Sequence, residues 1–301
     1  MADALTHRLA LGTAQLGMRY GIANREGQPD PAAASGIVAT ALAQGIRFFD
    51  TAQAYGTSER TLGGALNELR QGGEACVVSK LGPTVRTSDE AAVREAVRGS
   101  LERLRRACLW ALLLHREEQM DDWPHGLGRA LQHLRGEGVV SRLGVSCYSA
   151  ERAAQALAMP EMDAVQVPGS VFDRRALKAG VLAAARDSGK TVFVRSVYLQ
   201  GLALMDPGRL PARMSFASPA VSALDGFCRR HGLDRRTFCL GYARDRFPHA
   251  VLVVGAETPG QVTANCEALR DRRTDAAWYD EWDAEWPESD PRLVNPAAWP
   301  A

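Results

Sequence analysis

A (β/α)8 barrel is the fold this sequence predicts, and three observations predict it. Short apolar runs alternate with amphipathic stretches along the whole chain, there are eight such runs, and polar residues fall where the runs end. Strict strand–helix alternation implies parallel strands joined by crossover helices. A length of 301 residues suits one α/β barrel, which takes about 250. A doubly wound open sheet shares the alternation and stays possible from pattern alone.

In chain order, strands are expected at 8–11, 46–50, 76–80, 109–114, 142–146, 164–167, 191–195 and 251–255, each rich in Val, Ile, Leu or Phe. Helical patterns fill the gaps, among them 31–44, 58–69, 89–106, 150–158 and 175–188. Two helices, 219–230 and 234–246 with a break at Gly232, are expected before the last strand, so the fold carries one helix more than a plain barrel. A final helix at 259–270 precedes a Trp- and Pro-rich tail. In it Trp278, Trp282 and Trp286 recur every fourth residue and predict one face of a short helix, with packing on the barrel and contact with substrate both open as its role. The reading is one domain, 1–301, with 277–301 as a C-terminal extension.

Composition excludes several classes of function. Lys plus Arg number 36 against 35 Asp plus Glu, a net charge of +1, which argues against the concentrated positive surface of a nucleic-acid binder. The arginines at 94, 98, 103, 105 and 106 read as a solvated helix face. The six cysteines are scattered without a Cys-x-x-Cys pair, so neither a zinc site nor a disulfide scaffold is expected, and no metal is assigned. No basic-then-apolar leader opens the chain and no run reaches the ~18 apolar residues of a membrane span, so a cytoplasmic protein is expected. The balanced charge is compatible with a monomer or a small assembly. Gly189-Lys190-Thr191 fails as a phosphate loop because position 184 is Ala184 and the segment runs from helix to strand. No Gly-x-Gly-x-x-Gly follows the first strand. Asp121-Asp122 reads as a helix cap.

The chemistry gathers at strand ends. Asp50, Lys80 and His115 close the second, third and fourth runs, and Tyr55 lies in the loop after Asp50. In a barrel the strand C-termini share one face, where active sites are built. Singly, the Asp reads as a cap and the His as a core residue; together with Tyr55 they make an equipment for proton transfer. A phenol near its usual value of about 10 exchanges protons poorly near neutrality, and a Lys ammonium beside it is expected to lower that value. Asp50 is expected to pair with Lys80, and His115 to orient a carbonyl and stabilise charge on its oxygen. Such a set suits adding hydride to a C=O.

The segment from Phe49 through Asp50-Thr51-Ala52-Gln53-Ala54-Tyr55-Gly56-Thr57-Ser58-Glu59, with Leu62-Gly63 and Ala65-Leu66, resembles the signature of the aldo-keto reductases. Lys80-Leu81-Gly82, Leu114-His115-Arg116, Gly144-Val145-Ser146, Val165-Gln166 and Gly255-Ala256-Glu257-Thr258-Pro259 follow in the family's order. The resemblance covers about residues 8 to 270. It implies a (β/α)8 barrel, NADP(H), a small carbonyl substrate, and a catalytic tetrad of Asp50, Tyr55, Lys80 and His115. It further implies Gly12 and Thr13 at the nicotinamide end, beside Asp50, with Ser146 and Gln166 holding the carboxamide. Ser196, Leu199 and Gly201 would follow the pyrophosphate, while Gly255, Thr258, Gln261 and Asn265 would address the adenosine end, where a helix start favours phosphate.

Three departures from the family pattern involve four positions. Cys147 stands where an Asn usually follows the Ser. Arg195 stands where many members stack an aromatic ring on the nicotinamide, and it is expected at the cofactor there, its planar guanidinium able to stack while adding charge. Gly255 and Gln261 stand where some members have basic residues for the 2′-phosphate. Two other readings keep the barrel: a cofactor-binding sensor or subunit without turnover, and a Schiff-base lyase using Lys80. Arg19, Tyr20, Phe172 and Arg174 are expected in the substrate pocket, and the arginines with Arg195 point to a polar substrate, a sugar-derived or anionic aldehyde.

Overall fold

The computed structural model describes residues 5–69 and 74–300. Eight parallel strands close into a barrel in sequence order: β1 (Leu9–Gly12), β2 (Phe48–Asp50), β3 (Cys76–Leu81), β4 (Ala111–Leu114), β5 (Leu143–Ser146), β6 (Ala164–Pro168), β7 (Thr191–Arg195) and β8 (Val251–Gly255), with β8 pairing back onto β1. The open-sheet alternative is thereby excluded. The helices are α1 (Ala14–Gly17), α2 (Pro31–Ala43), α3 (Ser58–Glu68), α4 (Glu90–Leu104), α5 (Leu127–Gly136), α6 (Ala150–Ala158), α7 (Arg175–Lys178), α8 (Val181–Asp187), α9 (Ser218–Arg230), α10 (Arg235–Arg246), α11 (Pro259–Arg270) and α12 (Ala276–Glu285). Helix α5, absent from the sequence reading, fills the fourth crossover. The expected pair before the last strand is α9 and α10.

Local chemistry sets the helix starts. Asp30, Ser149, Asp234 and Thr258 each accept a hydrogen bond from a backbone N–H three residues on, which satisfies an otherwise orphaned donor. Pro31 and Pro259 take the first helical position, where no N–H is needed.

The strand period of two builds both the core and the site. Ala10, Phe48, Val78, Leu113, Ala164, Phe193 and Val253 point into the barrel and form its inner core. Trp110 joins them: its ring meets Phe48 edge-on at 4.9 Å and Phe193 at 6.0 Å, which plugs the lower end of the barrel. Moving two residues along each strand keeps the same face. That step leads from this apolar floor to Gly12, Asp50, Lys80, His115, Gln166, Arg195 and Gly255, all at the upper mouth.

The tail packs on the barrel, one of the two roles the Trp spacing leaves open. Trp282 is fully buried, donates from Nε1 to the Val171 carbonyl at 2.9 Å and meets Phe172, Phe227 and Phe238. Trp286 stacks parallel to it, and Trp278 lies against His231. The tryptophans are packing residues. Phe172 and Arg174 are corrected with them: Phe172 packs on Trp282 and Trp286, and Arg174 turns to Asp283 and the Trp286 carbonyl, away from the barrel mouth. The tail returns to the mouth only at its end, through Pro296 and Ala297. Among the described residues no helix is long and apolar enough to cross a membrane.

Candidate active site

A cavity of about 470 Å³ opens at the C-terminal mouth of the barrel. It brings together Asp50, Tyr55, Lys80 and His115, four residues taken from β2, the loop after it, β3 and the end of β4. Lys80 is buried, and its Nζ donates to both Asp50 oxygens at 2.7 Å and to the Thr51 carbonyl at 3.1 Å. Three protons meet three acceptors. Gln166 Nε2 donates to Asp50 Oδ1 at 2.8 Å, so the carboxylate is held from two sides.

Tyr55 is placed by a tight backbone crossing. A side chain at Gly17 would sit 2.0 Å from the Tyr55 carbonyl oxygen and 2.2 Å from the Ser58 nitrogen. A side chain at Gly56, itself at φ +55°, would sit 2.3 Å from the Gly17 carbonyl oxygen, which accepts from the Thr57 N–H at 3.1 Å. Thr13 serves the same knot. Its hydroxyl donates to the Asp50 carbonyl at 2.9 Å and meets Ser58 Oγ at 2.8 Å, so its polar group works on the scaffold although the residue lines the cavity. The ring of Tyr55 stands edge-on to His115 at 5.7 Å, with Lys80 Nζ 5.1 Å from its centre.

The electrostatics differ from the sequence expectation at one point. Tyr55 is shifted up, not down, first by burial and then by the Asp50 charge. The Asp50 carboxylate that holds the Lys80 ammonium adds to the rise, and Arg195 opposes it. Burial also pulls Lys80 below the ordinary lysine range, with Asp50 opposing that fall. His115 is pushed down to about 4 by burial, by Lys80 and by Arg116 and Arg195, so its imidazole is neutral at physiological pH. Its Nδ1 is buried with no partner among the described residues.

A stability prediction follows. Because the folded value of His115 lies below the 6.5 of a free imidazole, the unfolded chain binds the proton more readily between those values. Stability is therefore expected to fall as pH drops from 6.5 toward 4. Thermal midpoints of wild type and His115→Asn across that window test this. The pH slope should be shallower in the variant, and identical slopes would discard the assignment.

Of the residues expected at the cofactor, Gly12, Thr13, Asp50, Ser146, Gln166, Arg195, Ser196, Gly201, Gly255 and Gln261 line the cavity. Leu199, Thr258 and Asn265 do not. Leu199 is buried, Thr258 caps α11, and Asn265 accepts from Tyr198 at 3.2 Å and from Arg236 at 2.6 Å. Gly255 has its reason in packing, since a side chain there would strike the Gln15 amide at 2.2 Å. Cys147 points into the core with its thiol raised to about 12 by burial, and only its backbone takes part, donating to the Gln166 carbonyl at 2.8 Å. Arg19 is exposed and outside the cavity wall.

Sequence reading missed Gln15, Tyr148, Arg236, Pro296 and Ala297 in the wall. Tyr148, two residues past Ser146, had the signal of an aromatic in a mouth loop. Arg236 sits on the supernumerary helix pair and carried none.

The chain matches the model of the Aldo/keto reductase family over residues 8–286. It belongs to that family. Aldo-keto reductase YhdN of Bacillus subtilis is 25% identical over 86% of this chain and 84% of its own length. D-threo-aldose 1-dehydrogenase of a Pseudomonas species is 26% identical over 86% and 90%. Among solved structures, the holo form of aldo-keto reductase AKR11C1 from Bacillus halodurans superposes with a TM-score of 0.74 over 97% of this chain and 93% of that one, at 22% identity. As a member of the aldo/keto reductases the chain is an oxidoreductase barrel of a nicotinamide-using family.

Proposed function

We propose that this aldo/keto reductase is NADP(H)-dependent and converts an aldehyde or ketone to an alcohol, with Tyr55 giving the proton to the carbonyl oxygen. One observation carries the reading: a single cavity holds a buried phenol, a neutral imidazole and an ammonium saturated by its carboxylate, with room and polar groups for a dinucleotide beside them. The bound cofactor supplies hydride to the carbonyl carbon.

Each residue then has a task. Tyr55, kept protonated by burial and by Asp50, delivers its proton where negative charge develops on the carbonyl oxygen. His115 orients that oxygen. With Nδ1 buried and unpartnered, the tautomer protonated at Nε2 is preferred, because a bare lone pair costs less to bury than an orphaned N–H, so Nε2 is the donor. Asp50 and Lys80 fix the wall behind the phenol and keep its field constant. Ser146 and Gln166 offer a hydroxyl and an amide to the nicotinamide carboxamide. The wall from Ser196 to Gly201 and Gln261 continues the cleft for the rest of the dinucleotide, and Arg236 brings a guanidinium to it. The lyase alternative loses its nucleophile, since all three Lys80 protons are engaged. The name of the D-threo-aldose relative accords with a small polar carbonyl.

The test is NADPH and NADH binding by nicotinamide fluorescence, followed by cofactor oxidation with 4-nitrobenzaldehyde, glyceraldehyde and short aliphatic aldehydes. Turnover with NADPH exceeding that with NADH is expected. Tight binding without turnover of any carbonyl would favour the sensor reading instead.

A further inference from the structure

The cations around the mouth are largely spoken for. Lys80 is held by Asp50, and Arg236 gives a hydrogen bond to buried Asn265. Arg195 differs. It is half-buried in the wall of the same cavity as Tyr55 and His115, and its guanidinium lies 4.1 Å above the Tyr148 ring. Its one side-chain hydrogen bond runs from Nη1 to Ser196 Oγ at 3.3 Å, and among the described residues no carboxylate is within ion-pair distance. A guanidinium presents five N–H donors in a planar fork, and here most of them have no protein acceptor.

We propose that Arg195 selects the substrate: its fork receives an oxyanion, a carboxylate or a phosphate, carried by the substrate near its reacting carbonyl, while Tyr148 holds the guanidinium flat. This rests on the reductase reading and narrows it to anionic carbonyl compounds. The stacking on Tyr148 supports it. Arg195 leaves the end of β7 and reaches Tyr148 in the loop after β5, while Nη1 touches Ser196 Oγ at the start of the loop at 196–201. Its charge is felt at the reacting groups: it opposes the upward shift of Tyr55 and adds to the downward shift of His115. A cation is poorly matched to an oxidised nicotinamide, itself positive, and well matched to a planar carboxylate or a phosphate, which it grips through paired N–H donors. Arg19 and Arg174, the other arginines the sequence offered for such a role, are outside the cavity wall, and Arg236, which does line it, is tied to Asn265 on the helix side.

The experiment compares two aldehyde pairs that differ by an anion: succinic semialdehyde against butyraldehyde, and glyceraldehyde 3-phosphate against glyceraldehyde. Wild type, Arg195→Met and Arg195→Lys are assayed with saturating NADPH, and NADPH affinity is titrated by fluorescence in each. The wild type is expected to favour the anionic member of one pair by about 10–100-fold in kcat/KM, chiefly through KM. The pair that shows this identifies carboxylate or phosphate. Arg195→Met should bring the ratio near one, and Arg195→Lys, a point charge without the fork, should retain part of it. No preference in the wild type overturns the proposal, as does a preference that survives Arg195→Met. Equal loss for both members with weakened NADPH binding overturns it too, by assigning Arg195 to the cofactor. Wild-type turnover of 4-nitrobenzaldehyde is the control, and its absence overturns the reductase reading and this inference with it.

Discussion

Tyr55→Phe is expected to lower turnover by about 10²–10⁴-fold while NADPH still binds, the usual worth of a positioned proton donor. The substitution deletes one oxygen and leaves the ring, which has its place from the backbone crossing of Gly17 and Gly56 and from its neighbours Tyr20 and His115 at 6.5 and 5.7 Å. Nothing in that scaffold depends on the hydroxyl, since among the described residues it makes no hydrogen bond within the protein. Steady-state turnover and a fluorescence titration of NADPH separate the two effects. A variant that reduces carbonyls at the wild-type rate would remove Tyr55 as donor and pass the task to another group.

Lys80→Met is expected to cost about 3–5 kcal/mol of folding stability as well as activity. It leaves the Asp50 carboxylate buried with Gln166 as its remaining side-chain partner. Breaking one half of a buried ion pair is far more costly than removing both halves, because the survivor keeps its desolvation penalty. Adding Asp50→Asn to Lys80→Met should therefore recover much of the lost stability without recovering turnover. Denaturant unfolding of the wild type, both single variants and the double variant measures the coupling. If the two losses simply add, the pair is not a unit and the constant field assigned to it behind Tyr55 fails.

The barrel and the convergence of Asp50, Lys80 and His115 at its mouth were legible in the sequence because both follow from period. Each strand shows its apolar residue two positions before its chemical one, as in Phe48 and Asp50, Val78 and Lys80, Leu113 and His115, and a one-residue error in strand boundaries does not disturb that parity. The extra helix pair was legible from Gly232, and the tail from Trp spacing. What escaped were quantities that depend on neighbours distant in sequence. The rise of Tyr55 comes first from its burial, which the packing of segments distant in sequence sets, and then from the Asp50 charge. Phe172 and Arg174 sit in a strand-end loop, as pocket residues do, yet α12 draws them to its own side through Trp282, Trp286 and Asp283. Arg236 and Pro296 enter the cavity from elements that have no strand-end signal at all.

The pairing of β8 onto β1 also has a meaning in time. About 240 residues separate these strands, and at a synthesis rate of about 5–20 residues per second the first waits roughly 10–50 s for its partner. During that interval the edge of β1 that β8 will cover has no partner, and the sheet to which Asp50 and Lys80 belong cannot yet close. Closure of the ring therefore waits on the last strand, which removes the open edge that the earlier strands leave.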